Sequence, residues 1–172
     1  MKTNFIYKYS MRILSWEENI VAEKYMAEAA KIAQSATCKR SKCWSVIVKD
    51  WKIIWTGFNS PAKWLESQRR CTCDKNSYHR KVTDKTCCIH AEQRALFDAL
   101  RNHPDEIPWA TLYFIRLDKN NQPSKAWKPY CTICSKSALE LWIKDFILRH
   151  EEWITAYNTE EYNLLSYQYN EL

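Results

Sequence analysis

Glycine is nearly missing from this chain. Its 172 residues contain one, Gly57, where average usage of about 7% would supply roughly a dozen. Long apolar runs are missing too: none approaches the roughly 20 residues that span a bilayer, which argues against a membrane protein. Met1 to Ser15 has neither the apolar stretch nor the small-residue cleavage site of a secretory leader, so a cytoplasmic location is expected. Repeats, low-complexity tracts and linkers are also lacking, and the length suits one hydrophobic core rather than two. A single domain over 1–172 is therefore expected.

Cysteine and tryptophan, by contrast, are abundant, at eight and nine residues, and the net charge is +6. In a reducing compartment, clustered thiols serve as metal ligands or catalytic groups more often than as disulfides. The positive balance suits a phosphorylated or nucleic-acid substrate, although its usual meaning is only solubility.

Several tryptophans stand where backbone geometry asks for glycine. Asp50-Trp51 separates Val46-Ile47-Val48 from Ile53-Ile54, a place for the Asp-Gly of a tight hairpin. Trp142 follows Ala138-Leu139-Leu141 at what reads as a helix C′ position. Trp127 and Trp153 stand in polar loops. Some genetic codes read UGA as tryptophan and others as glycine, so most of these residues are expected to be glycine in the natural protein. Trp16, inside a helix start, is the one expected to be genuine; a tryptophan-rich lineage is the competing explanation.

Ser15-Trp16-Glu17-Glu18 reads as a capping box opening a helix to about Ser35. Its apolar face is expected from Ile20, Val21, Tyr25, Met26, Ala29 and Ile32. A hairpin follows, with strands near 45–49 and 52–58. A polar, cysteine-containing irregular segment runs from Asn59 to Thr86. A second helix is expected from near Ile89, a strand at 111–116, a loop at 118–129 and a third helix from about Cys131. A strand at 145–148 and a short helix at 160–167 complete the pattern. Alternating strands and helices imply an α/β layered fold.

The chemistry concentrates in His90-Ala91-Glu92 and Pro129-Tyr130-Cys131-Thr132-Ile133-Cys134. One imidazole and two thiolates supply three ligands for tetrahedral Zn2+ and leave a fourth position for water. A helix N-terminus at Cys131 and Cys134 favours thiolate. Zinc lowers the pKa of bound water toward 7, and Glu92, two residues from His90, can serve as general acid/base without binding the metal. A closed structural zinc site is the competing reading, in which Glu92 has no use.

His90-x-Glu92 followed by Cys131-x-x-Cys134 resembles the signature of the cytidine/deoxycytidylate deaminase superfamily, over roughly Ser15 to Leu148. The resemblance implies a three-layer α-β-α fold with a mixed sheet of about five strands, a core of about 15–148 and a C-terminal extension, 149–172. It makes His90, Cys131 and Cys134 the zinc ligands and Glu92 the proton shuttle of a zinc-dependent hydrolase. Three features depart from the family pattern. Tyr130 separates Pro129 from Cys131, the 117–128 loop is long and polar, and Arg94 stands where many relatives carry Asn.

Gly57-Phe58-Asn59-Ser60-Pro61 is similar to a stretch of the dCMP deaminases in which the Asn contacts the sugar. Asn59 is therefore a substrate-binding candidate, or else an ordinary turn residue. Some dCMP deaminases also carry a second, structural zinc. On that pattern its ligands would be Cys38, Cys71, Cys88 and His79, with Cys73 or Cys87 able to replace His79; free thiols are the alternative. Cys43 reads as a buried strand residue. Lys39, Arg40, Lys42, Arg69, Arg70, Arg80 and Lys81 could each reach a phosphate. The expected reaction is dCMP to dUMP plus ammonia, by a homo-oligomer acting on a small-molecule nucleotide. Deamination of tRNA adenosine or another nucleic acid, a non-catalytic zinc-binding module and a riboflavin-pathway deaminase are the competing readings. No basic tail with interleaved aromatics favours nucleic acid.

Overall fold

The computed structural model describes residues 11–33 and 35–170. Four helices, α1 (Trp16–Ala33), α2 (Ala91–Asn102), α3 (Thr132–Glu140) and α4 (Thr159–Tyr167), pack around a mixed sheet. Five longer strands form its body: β2 (Lys42–Lys49), β3 (Lys52–Phe58), β6 (Thr111–Leu117), β8 (Asp145–Arg149) and β9 (Ile154–Asn158). Two-residue strands β1 (Arg12–Ile13) and β7 (Pro123–Ser124) bring the total to seven, in the order β1-β9-β8-β6-β2-β3 with β7 beside β6. Only β6 and β8 run parallel. A separate ribbon, β4 (Ser60–Pro61) with β5 (Cys88–Ile89), ties the cysteine-rich loop to the start of α2.

The three-layer arrangement follows from strand alternation. Trp44, Val46 and Val48 of β2 join Ala22, Tyr25 and Met26 of α1 on one face. Cys43 and Ile47 point the other way, toward Ala91, Ala95 and Leu96 of α2. Helix α1 opens on the anticipated reciprocal cap. Glu18 N–H donates to Ser15 Oγ at 3.3 Å, and Ser15 N–H donates to Glu18 Oε2 at 3.0 Å. Of its expected face, Tyr25, Met26 and Ala29 are buried, Val21 is half-buried and Ile20 is exposed, with Ala22 buried in its stead; the side chain of Ile32 lies outside the described residues. The buried positions Ala22, Tyr25, Met26 and Ala29 keep the i, i+3, i+4, i+7 rhythm, and Ile20 falls off that stripe.

Beyond Leu148 the chain stays within the layers. Strand β9 pairs along β8 from Asp145/Asn158 to Arg149/Ile154. Helix α4 lies against α3, where Ser135 Oγ donates to Asn163 Oδ1 at 2.8 Å. Strand β9 escapes inspection of the sequence because Ile-Thr-Ala-Tyr-Asn is short and buried on both faces, so it lacks the alternation that marks a half-exposed strand.

The one glycine sits at a close contact between sheet and helix. A Cβ on Gly57 would lie 2.4 Å from Ala95 N and 2.5 Å from Ala91 O. Only a residue without a side chain lets β3 approach α2 this closely. That approach sets His90 and Glu92, at the start of α2, beside Asn59 at the end of β3.

Candidate active site

Two helix starts converge at the site. His90 is the N-cap residue of α2, its N–H held by Gln93 Oε1 at 3.3 Å. Cys131 is the N-cap of α3, its Sγ accepting from Cys134 N–H at 3.4 Å. Folding brings His90 Nδ1 within 3.3 Å of both Cys131 Sγ and Cys134 Sγ, and the two sulfurs within 3.1 Å of each other. Ligands about 2.0–2.3 Å from a tetrahedral zinc lie roughly 3.5–3.8 Å apart, so this donor set fits Zn2+ with little adjustment. Cys131 is also electrostatically prepared. A hydrogen bond from Cys134 and the neighbouring His90 hold its thiol down to about 4.

Glu92 lies one step behind these donors, buried on the first turn of α2. Burial pushes its carboxyl up to about 7, against the opposing pull of His90. A carboxyl that exchanges its proton near neutrality suits acid/base work. The far side of the imidazole is also held: His90 Nε2 is 3.4 Å from Thr86 Oγ1, which donates to Asp84 Oδ1 at 2.6 Å. Neither Asp84 nor Thr86 carries a signal in the sequence, since an exposed loop Thr is ordinary until the fold sets it behind a ligand.

A cavity of about 300 Å³ opens over Glu92, at the small end of the range for ligand sites. Phe114 supplies an apolar wall, and Arg116, Lys75 and Lys85 supply positive charge. Glu92 is the only acidic residue among the described residues that line it. Arg116 is absent from the phosphate candidates drawn from the sequence. Strand alternation places it: Leu112 and Phe114 face α2, so Arg116 follows on the same side. Its guanidinium lies 4.0 Å from the ring centre of Trp127, and its Nε is buried without a hydrogen-bond partner.

Of the sequence-derived phosphate candidates, Arg40 and Arg70 reach the cavity lining. Arg40 spends its guanidinium on the Cys71 and Cys73 carbonyls, and Arg70 donates to the Ser67 and Arg69 carbonyls. Arg69 pairs with Glu66 and donates to the Thr37 carbonyl, while Lys42 donates to Asn121. Asn59 lines the cavity, but its side chain is bound to the backbone. Oδ1 accepts from Cys43 N–H at 3.0 Å, and Nδ2 donates to the Ser41 carbonyl at 2.8 Å. One amide proton of Asn59 stays free to meet a ligand.

A second group of thiols lies in the same wall. Cys38, Cys71 and Cys88 place their sulfurs within 4.8 Å of one another. His79 does not join them. It is exposed, in a turn where its Nδ1 accepts the N–H of Lys81. Cys87 stands there instead, 3.3 Å from Cys71 Sγ and 3.7 Å from Cys88 Sγ. Cys87 lies outside the mutual 4.8 Å group of Cys38, Cys71 and Cys88, so it would complete a four-sulfur zinc tetrahedron, of roughly 3.8 Å edge, by moving closer to Cys38. Hydrogen bonding from Cys88 draws the Cys38 thiol down to about 5. Cys43 is buried in β2, and burial pushes its thiol up to about 12.

A mixed sheet between helix layers, with one imidazole and two thiolates at paired helix starts beside a buried glutamate, defines a zinc-dependent hydrolase of the deaminase type. The profile of the cytidine and deoxycytidylate deaminase zinc-binding region matches residues 20–150, and the chain belongs to that family. Among solved structures it is similar to the dCMP deaminase of cyanophage S-TIM5 in complex with dCMP and dUMP. That likeness has 22% identity and a TM-score of 0.54, over 77% of this chain and 81% of that one. The apo form of the same phage enzyme matches at 20% identity and TM-score 0.54, over 90% and 94%. Cytidine deaminase from Burkholderia pseudomallei matches at 19% identity and TM-score 0.50, over 87% and 96%. No curated protein sequence matches the chain. Among the described residues, no helix is long and apolar enough to cross a membrane.

Proposed function

We propose that the protein deaminates a cytosine nucleotide, dCMP in the first instance, to the uracil nucleotide and ammonia. The observation that carries the reading is Glu92, buried beside the His90–Cys131–Cys134 donors, its carboxyl raised by burial, in a cavity whose other charged lining residues are basic. Zinc held by those three residues would make water a nucleophile near neutral pH. Glu92 takes a proton from that water as its oxygen adds to C4 of the ring, and passes the proton to N3. It then moves the remaining hydroxyl proton to the exocyclic amine. The C4–N bond breaks, and uracil and ammonia leave. Phe114 offers the base an apolar wall, Asn59 its free amide proton, and Arg116 a partner for the 5′-phosphate. The phage enzyme's complex with dCMP and dUMP supports the choice of nucleotide.

The four sulfurs of Cys38, Cys71, Cys87 and Cys88 would hold a second, structural zinc. Its role is to staple the 59–86 loop, which has little regular structure of its own.

The test is ammonia release from dCMP by zinc-loaded protein, beside CMP, deoxycytidine, dCTP and a tRNA anticodon stem-loop. Glu92→Gln is expected to lose at least about a hundredfold in rate while keeping its zinc. Arg116→Gln is expected to raise KM for dCMP and leave deoxycytidine unaffected. Activity on the RNA alone would move the assignment to tRNA editing. A folded, zinc-loaded protein inert on every substrate would leave a binding module.

A further inference from the structure

Tryptophan occupies the left-handed region of the backbone at four turns. Seven described non-glycine residues have positive φ, and four of them are Trp51 (67°), Trp64 (60°), Trp109 (66°) and Trp142 (60°). The left-handed region is an outlier for a large side chain, and glycine is its usual occupant. Yet the only glycine, Gly57, is not there.

Each of the four closes a different turn at its glycine position. Asp50 (46°) and Trp51 form a two-residue hairpin between Lys49 and Lys52 with both φ values positive, the type I′ arrangement that favours Asp-Gly. Lys63 (50°) and Trp64 do the same between Ala62 and Leu65, closed by Leu65 N–H to the Ala62 carbonyl at 3.0 Å. At 107–110, Ala110 N–H donates to the Ile107 carbonyl at 3.0 Å. Pro108 is second and Trp109, with positive φ, third, the pattern of a type II turn whose third residue is glycine. Trp142 ends α3 as C′ of a Schellman motif. Its N–H donates to Leu139 O at 2.9 Å, and that of Ile143 to Ala138 O at 3.0 Å.

The indoles gain little burial in return: Trp51, Trp64, Trp109 and Trp142 are 78%, 55%, 62% and 62% exposed, and their ring contacts are an edge-on pairing of Trp109 with Trp142 and the Arg94 guanidinium 4.7 Å from Trp64. Trp16, in contrast, is the first residue of α1, a position that accepts tryptophan without strain.

We infer that the natural polypeptide carries glycine at 51, 64, 109 and 142, its gene being read with UGA as a glycine codon. The same reassignment at Trp127 would remove the ring over Arg116 and release that guanidinium into the cavity.

Peptide mass spectrometry of the protein purified from its source organism decides the matter. Peptides spanning the four positions are expected at the glycine mass, with UGA at those codons and UGG at codon 16. Tryptophan masses at the four positions would overturn the inference. A second measurement compares the chain as written with variants carrying Gly, or Ala, at all four. The Gly variant is expected to melt higher, on the order of 2–4 °C per site, and above the Ala variant. Trp16→Gly is expected to lower the midpoint. A Gly variant that melts no higher than the Ala variant would also count against it.

Discussion

The ring nitrogen of His90 that faces the cysteines is chosen by what stands behind the ring. Thr86 Oγ1 is committed as donor to Asp84, so toward His90 Nε2 it can only accept. That puts the imidazole proton on Nε2 and leaves Nδ1 with its lone pair toward Cys131 and Cys134. Groups of this kind typically tune metal affinity by about 10–100-fold. Thr86→Val is accordingly expected to weaken zinc binding by that factor, read by competition against a chelating dye, with the melting curve of the chain unchanged. Unaltered zinc affinity would reduce Thr86 to a loop residue.

Strand β3 and helix α2 are held together by an absence. The missing side chain at Gly57 lets the strand backbone meet Ala91 and Ala95, and those two alanines are themselves fully buried. Gly57→Ala would force the elements apart at the place where both carry site residues. The expected cost is about 1–3 kcal/mol or more, seen as a lowered denaturation midpoint. Ammonia release should fall as well, because Asn59 and Glu92 no longer share one cavity wall. Arg94 reinforces the same junction from the helix side. Its guanidinium donates to the carbonyls of Phe58, Ser60 and Pro61 and to Ser60 Oγ.

Across the whole molecule, the cavity wall holds His90 of one donor set and the sulfurs of Cys38, Cys71, Cys87 and Cys88, and the two sets hang from different supports. The catalytic donors come from the starts of α2 and α3, inside the layered core. Cys71 and Cys87 belong to a loop attached to that core by the β4–β5 ribbon and by arginine bonds. Zinc analysis of the intact protein is expected to give two ions per chain. Cys71→Ser should leave one, lower the melting midpoint and make the 59–86 loop more sensitive to protease, while the remaining zinc stays with His90, Cys131 and Cys134. Two ions retained by Cys71→Ser would refute the second site.

Much of this was legible along the chain because it depends on near neighbours. The Ser15–Glu18 cap, the hairpin around Asp50-Trp51, and the internal spacings of His90-x-Glu92 and of Cys131-x-x-Cys134 are all local patterns whose spacing dictates their geometry. Backbone demand at the tryptophan turns is equally local, since positive φ is a property of one residue and its turn. Other features depend on chain segments far apart in sequence. Arg116 becomes a cavity residue only because β6 pairs with β2 and faces α2. Cys87, and not His79, stands beside Cys71 and Cys88 because β4 pairs with β5, and the same ribbon sets Thr86 behind His90. Even β9 needed a partner strand to become visible. Short segments buried on both faces carry no periodic signal, and a side chain's neighbours across a sheet are decided by register, which no single stretch of sequence contains.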